Sequence, residues 1–107
     1  MKLEHLEPIL FAKQVLERRK GMARVLCEFP YNPSLPMLLE GAAQASSALG
    51  EAKKGFLIGA SETILYKKVL MTTVEIEIRQ EFSNANLRKF SFLIKDYAQG
   101  EFSIYVE

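Results

Sequence analysis

With 107 residues, 49% hydrophobic and 25% charged, the chain has the size and composition of one globular domain, 1–107, and leaves no room for a separate cofactor domain. Its net charge of +1 is not gathered into a basic stretch interleaved with aromatics, and its apolar runs fall well short of the roughly 20 residues of a membrane helix, so neither nucleic acid nor a bilayer is an expected partner. The single cysteine, Cys27, and the single histidine, His5, rule out an internal disulfide and leave almost nothing for a metal centre, a Ser-His-Asp triad or a Cys-His pair.

The segment Met1 to Gln14 carries Glu4, Glu7 and Lys13 and lacks a small-residue cleavage site, so a cytoplasmic protein is expected. From Glu7 to Arg19 and from Met22 to Phe29 the pattern suits two strands joined by a hairpin at Lys20-Gly21. Alternation in the second strand places Ala23, Val25, Cys27 and Phe29 on one face, with Arg24 and Glu28 on the other. The following Pro30-Tyr31-Asn32-Pro33-Ser34-Leu35-Pro36 cannot continue a helix or a central strand, because its prolines fix φ and remove backbone donors.

Met37 to Leu49 then reads as a helix that starts near Ser34 or Leu35, accommodates Pro36 in its first turn and stops at Gly50. Gly41, Ala42, Ala43, Ala45, Ser46, Ser47 and Ala48 make it slim on nearly every face, and so little charge predicts burial. Glu40 is its one ionisable residue, and Gln44 follows one turn later on the same face. The remainder reads as strands over Gly55 to Lys68, Thr72 to Phe82, Leu87 to Tyr97 and Glu101 to Val106, with turns at Ser83-Asn84-Ala85-Asn86 and Ala98-Gln99-Gly100. Val74, Ile76 and Ile78, then Phe90, Phe92 and Ile94, then Phe102, Ile104 and Val106 give each later strand one apolar face, so an antiparallel meander with one early helix is expected.

The junction of loop and helix resembles the signature of 3-hydroxyacyl-acyl-carrier-protein dehydratases of the FabZ type, H-F-P-G-x-P-x-x-P-G-V-L-x-x-E-A-x-A-Q. Phe29, Pro30, Pro33, Pro36, Leu38, Glu40, Ala43 and Gln44 match it, and Tyr66-Lys67-Lys68-Val69 is similar to the family's F-R-R-P. The resemblance implies an α+β hotdog fold, an antiparallel sheet wrapped around a central hydrophobic helix, and a homodimer or higher homo-oligomer with an acyl tunnel between subunits. Three departures stand out. Glu28 occupies the place of the family's catalytic histidine, Met37 replaces a glycine, and three residues instead of five separate Pro36 from Glu40.

Dehydration needs two tuned proton-transfer groups, which here would have to be Glu28 and Glu40; thioester hydrolysis needs one carboxylate and backbone donors for an oxyanion. The expected activity is therefore hydrolysis of an acyl-CoA or acyl-carrier-protein thioester in fatty acid metabolism, with Glu40 as base or nucleophile. Gln44, Met37, Leu38, Glu28 and Tyr31 are the candidate substrate-binding residues, and no cofactor or metal is expected. The alternative is a relative without the histidine that binds acyl groups without turnover or keeps weak dehydratase activity. For Glu40 the plainer role is an ion pair with a neighbouring Lys or Arg, for Gln44 a tie to the backbone, and for Lys53, Lys54, Lys67 and Lys68 a solvated face.

Overall fold

A computed structural model describes residues 10–49, 55–84 and 86–106. His5, Glu4, Glu7, Gly50, Lys53, Lys54 and Ala85, on which expectations were placed above, lie outside the described residues. The elements run β1 (Ala12–Arg19), β2 (Met22–Glu28), α1 (Leu35–Ala45) with a 3₁₀ turn at Ser46–Leu49, β3 (Gly55–Leu65), β4 (Thr73–Asn84), β5 (Leu87–Ile94) and β6 (Ala98–Val106). The strands form a single antiparallel sheet in the order β1-β2-β4-β5-β6-β3. Because the sheet curls about α1, the molecule is an α+β hotdog domain, as the resemblance implies.

The period-two pattern holds. Ala23, Val25, Cys27 and Phe29 are all buried, as are Val74, Ile76, Ile78, Phe90, Phe92, Ile94, Phe102 and Ile104. They close over Leu38, Ala42 and Ala45 of the helix in one core. Phe102 is central to it, with the rings of Phe90 and Phe92 at centroid distances of 5.4 and 6.1 Å. Small residues on α1 let the sheet approach closely: a Cβ added at Gly41 would lie 3.1 Å from Cζ of Phe29, and the Cys27 thiol donates to the Gly41 carbonyl oxygen at 3.9 Å. On the opposite face of the sheet Arg24 bridges strands, donating to Glu17 and to Glu75 at 2.8 Å each, and its guanidinium holds the Glu17 carboxyl below the usual carboxylate range.

Two expectations are corrected. The meander is broken, since β3 pairs with β6 instead of β4 and so becomes an edge strand. The last turn is Lys95-Asp96-Tyr97, closed by the Tyr97 N–H donating to the Ile94 carbonyl, with Asp96 at φ 71°, while Ala98-Gln99-Gly100 already belongs to β6. Gly100 marks a close approach of strands and not a turn: a Cβ there would meet Thr63 Oγ1 at 2.7 Å and Phe92 Cε1 at 2.9 Å. Thr63 is pushed in by a bulge between Ser61 and Ile64, where Glu62 takes φ 50°.

Candidate functional site

The loop after β2 brings the helix onto the sheet. Phe29 donates its N–H to the Thr72 carbonyl at 2.8 Å, which fixes the loop's start, and Pro33 is buried beneath it. Ser34 is the N-cap residue, and Pro36 sits in the first turn, where a missing N–H costs little. The first complete helical bond runs from the Leu38 N–H to the Ser34 carbonyl at 3.0 Å. Leu38 therefore contributes a buried side chain and an amide already engaged, whereas the amide of Met37 lies one residue before this first helical donor. Met37 packs its half-buried side chain against the core.

Glu40 lies on the exposed side of α1, and among the described residues no Lys or Arg forms an ion pair with it. The Gln44 amide, one turn on, donates to its Oε2 at 3.3 Å, so the expected i, i+4 pair is formed. The carbonyl of the same Gln44 side chain accepts the N–H groups of Phe11 and Ala12 at 2.6 and 3.1 Å. Gln44 thus ties the helix to the start of β1 while presenting its NH₂ to Glu40. The tie is to backbone N–H donors, and it explains why a glutamine, with both an acceptor and a donor, suits this position.

The other candidates are dispersed. Glu28 ends β2 with an exposed side chain and a backbone N–H bonded to the Phe11 carbonyl, and no hydrogen bond links it to Glu40. Tyr31 is 64% exposed at the tip of the loop. Lys67 rests over the Tyr97 ring at 5.6 Å, and Val69 of the same tetrapeptide is buried in the core. Two clefts, of about 330 and 280 Å³, open on the sheet face turned away from the helix; the first is lined by Met71, Leu93, Lys95 and Tyr97 among others, the second by Glu62, Arg79, Ser91 and Glu101 among others, and neither includes Glu40. Among the described residues no group of His, Cys, Asp and Glu is arranged to hold a metal ion, and no helix is long and apolar enough to cross a membrane. Cys27, at the centre of the core, has its thiol pushed up to about 12 by burial.

A curled antiparallel sheet around a slim helix that carries one exposed acid defines a hotdog domain with a candidate carboxylate on its helix. Its likeness to solved structures extends over nearly the whole chain. The dehydratase heterocomplex ApeI:P of Xenorhabdus doucetiae superposes with a TM-score of 0.76 at 12% identity, covering 96% of this chain and 86% of the other. A hypothetical thioesterase protein with coenzyme A from Streptococcus pneumoniae gives 0.65 at 14% identity, with 88% and 84% covered. The protein smu.793 of Streptococcus mutans, bound to acetyl CoA, gives 0.67 at 14% identity, with 96% of both chains covered. No protein-family model matches the sequence, and no curated protein is similar to it in sequence.

Proposed function

We propose that this hotdog domain is a cytoplasmic acyl-thioester hydrolase acting on acyl-CoA or acyl-carrier-protein substrates, with Glu40 as the base. The observation that carries the reading is the standing of Glu40: the only ionisable side chain on α1, exposed, without an ion-pair partner among the described residues, and oriented by Gln44. Its carboxylate takes a proton from water as the oxygen attacks the thioester carbonyl. The C–S bond then breaks, the acyl group leaves as its acid, and the departing thiolate collects the proton. The Met37 amide, unengaged in the first turn, is the donor offered to the oxyanion. That similar folds occur with coenzyme A and acetyl CoA supports a thioester ligand.

A second copy of the chain completes the site in this reading. The two edges of the sheet differ: β1 carries Lys13, Glu17, Arg18 and Arg19 and two bulges, the features that discourage strand addition. β3 is 11 residues long with Glu62 as its only charge, and among the described residues it is paired on one side only. Edge-to-edge pairing along β3 would set two helices beside one another on a common sheet.

Purified protein assayed against a panel of acyl-CoA and acyl-carrier-protein thioesters tests the proposal. Glu40→Gln should lower kcat by roughly a hundredfold or more with KM within a few-fold; turnover untouched by the substitution removes Glu40 from the chemistry. The second reading is a non-catalytic acyl binder, or a weak dehydratase, within a mixed hotdog assembly. It is favoured by Glu28 in the histidine's place and by the likeness to a dehydratase heterocomplex, and tight acyl-CoA binding with no turnover on any panel member would select it.

A further inference from the structure

The helix-facing row of β5 reads Arg88, Phe90, Phe92, Ile94, and the three apolar members are buried in the core. Arg88 shares their face. It stands directly opposite Ile104 of β6, itself a core residue, and opposite Ser83 of β4 on its other side, and directly opposed residues of antiparallel strands project to the same face. A guanidinium thus ends an otherwise apolar row. Its Nε is fully buried and has no hydrogen-bond partner, and it is the one such side-chain atom among the described residues. Among the described residues no carboxylate pairs with it, whereas Arg19, Arg24, Arg79 and Lys89 all have acidic partners.

A buried, unpaired donor on a group that never loses its charge destabilises the fold, so its presence calls for a compensating role. Arginine presents N–H groups in a planar fork matched to phosphate or carboxylate oxygens. Beside it, the Ser83 hydroxyl adds a donor, and no acidic side chain shares the pair's cross-strand row.

We propose that Arg88 is an anion anchor on the helix-facing side of the sheet that holds a phosphate of the thioester's pantetheine-bearing carrier. The proposal rests on the acyl-thioester reading above. Phosphopantetheine is common to coenzyme A and to acyl carrier proteins, so the shared chemistry is the phosphate esterified to the pantetheine arm, carried in a diphosphate in the first and in a phosphodiester in the second.

The test is calorimetric titration of the full chain with pantetheine, 4′-phosphopantetheine, coenzyme A and holo-acyl carrier protein, repeated on Arg88→Met and Arg88→Lys. The unaltered protein should bind phosphopantetheine at least roughly tenfold tighter than pantetheine, the worth of one charge-assisted contact. Arg88→Met should bring that ratio close to one, and Arg88→Lys should retain part of it. Thermal unfolding supplies the readout that separates the roles: Arg88→Met removes the buried orphan donor, so its Tm should hold or rise while phosphate discrimination is lost. Loss toward coenzyme A and carrier protein alike assigns the arm's own phosphate, and loss toward coenzyme A alone assigns its nucleotide phosphates. A fall in Tm with phosphopantetheine and pantetheine weakened equally shows a structural arginine and overturns the proposal. Unchanged discrimination in Arg88→Met overturns it while leaving the thioester reading standing, and failure of the unaltered protein to bind any of the four overturns both.

Discussion

Replacing Gln44 by alanine removes the acceptor of two backbone N–H groups at once, those of Phe11 at 2.6 Å and Ala12 at 3.1 Å. Phe11 is 6% exposed, so its amide has little access to replacement water, whereas Ala12 is half-buried and recovers part of its bond from solvent. Leaving a buried donor unpaired costs about 1–3 kcal/mol, and a partly exposed one less, which gives about 2–3 kcal/mol for Gln44→Ala. The loss propagates, because the Phe11 carbonyl accepts from Glu28 and its ring lies 4.7 Å from that of Phe29, so the junction of β1, β2 and the helix loosens together. For a domain of this size the change corresponds to a Tm lower by about 10 °C. Circular dichroism melting at pH 7 measures it, with Gln44→Glu as a control that keeps the acceptor. The glutamate variant sets a second carboxylate beside Glu40, where the wild-type contact is 3.3 Å. Repulsion between the two opposes the retained bonds to the Phe11 and Ala12 N–H groups, so its Tm should lie between those of wild type and Gln44→Ala. A Tm change under 2 °C for Gln44→Ala would refute the inference that this side chain holds the helix to β1.

Burial holds the Cys27 thiol protonated up to about 12, against an ordinary thiol near 9. The unfolded chain loses this proton first, so the stabilisation is complete below pH 9 and declines through pH 9–12 by about 1.4 kcal/mol per pH unit. Urea unfolding across that range should show a steeper alkaline fall for wild type than for Cys27→Ala, and equal slopes would contradict the assignment. The thiol should also resist iodoacetamide at pH 8 until the protein is unfolded. Gly100→Ala places a methyl against the Thr63 backbone and the Phe92 ring, both 2.9 Å from its Cβ, and should cost about 1–3 kcal/mol in a denaturant melt. A neutral result would show that β3 and β6 do not approach as closely as described.

Much of the fold was legible in the order of residues because its signals are local. The alternation of Val74, Ile76 and Ile78 or of Phe90, Phe92 and Ile94 sets which side of a strand is buried, whatever the strand pairs with. Pro36 and the run of alanines likewise set where the helix starts and how closely the sheet approaches it. The Gln44-to-Glu40 contact was legible too, since four residues on a helix bring two side chains together without outside help. The inward place of Arg88 was available from the same alternation, two residues before Phe90, but a charge at the end of an apolar row reads as the row's end until its neighbours are known.

What tertiary structure decided concerns contacts between residues distant in the chain. The pairing of β3 with β6 depends on how strands with similar patterns sort across the curl of the sheet, and Gly100 is a glycine because Thr63, brought in by that pairing, leaves no space for a Cβ. Glycine has the same appearance in sequence whether it makes a turn or a close approach, which is why the last hairpin was displaced by three residues. The bond from Phe11 and Ala12 to Gln44 spans more than thirty positions, and the orphaned Nε of Arg88 depends on the absence of a partner in space. Local periodicity determines the face on which a side chain stands; which groups meet there is decided only when the sheet closes on the helix.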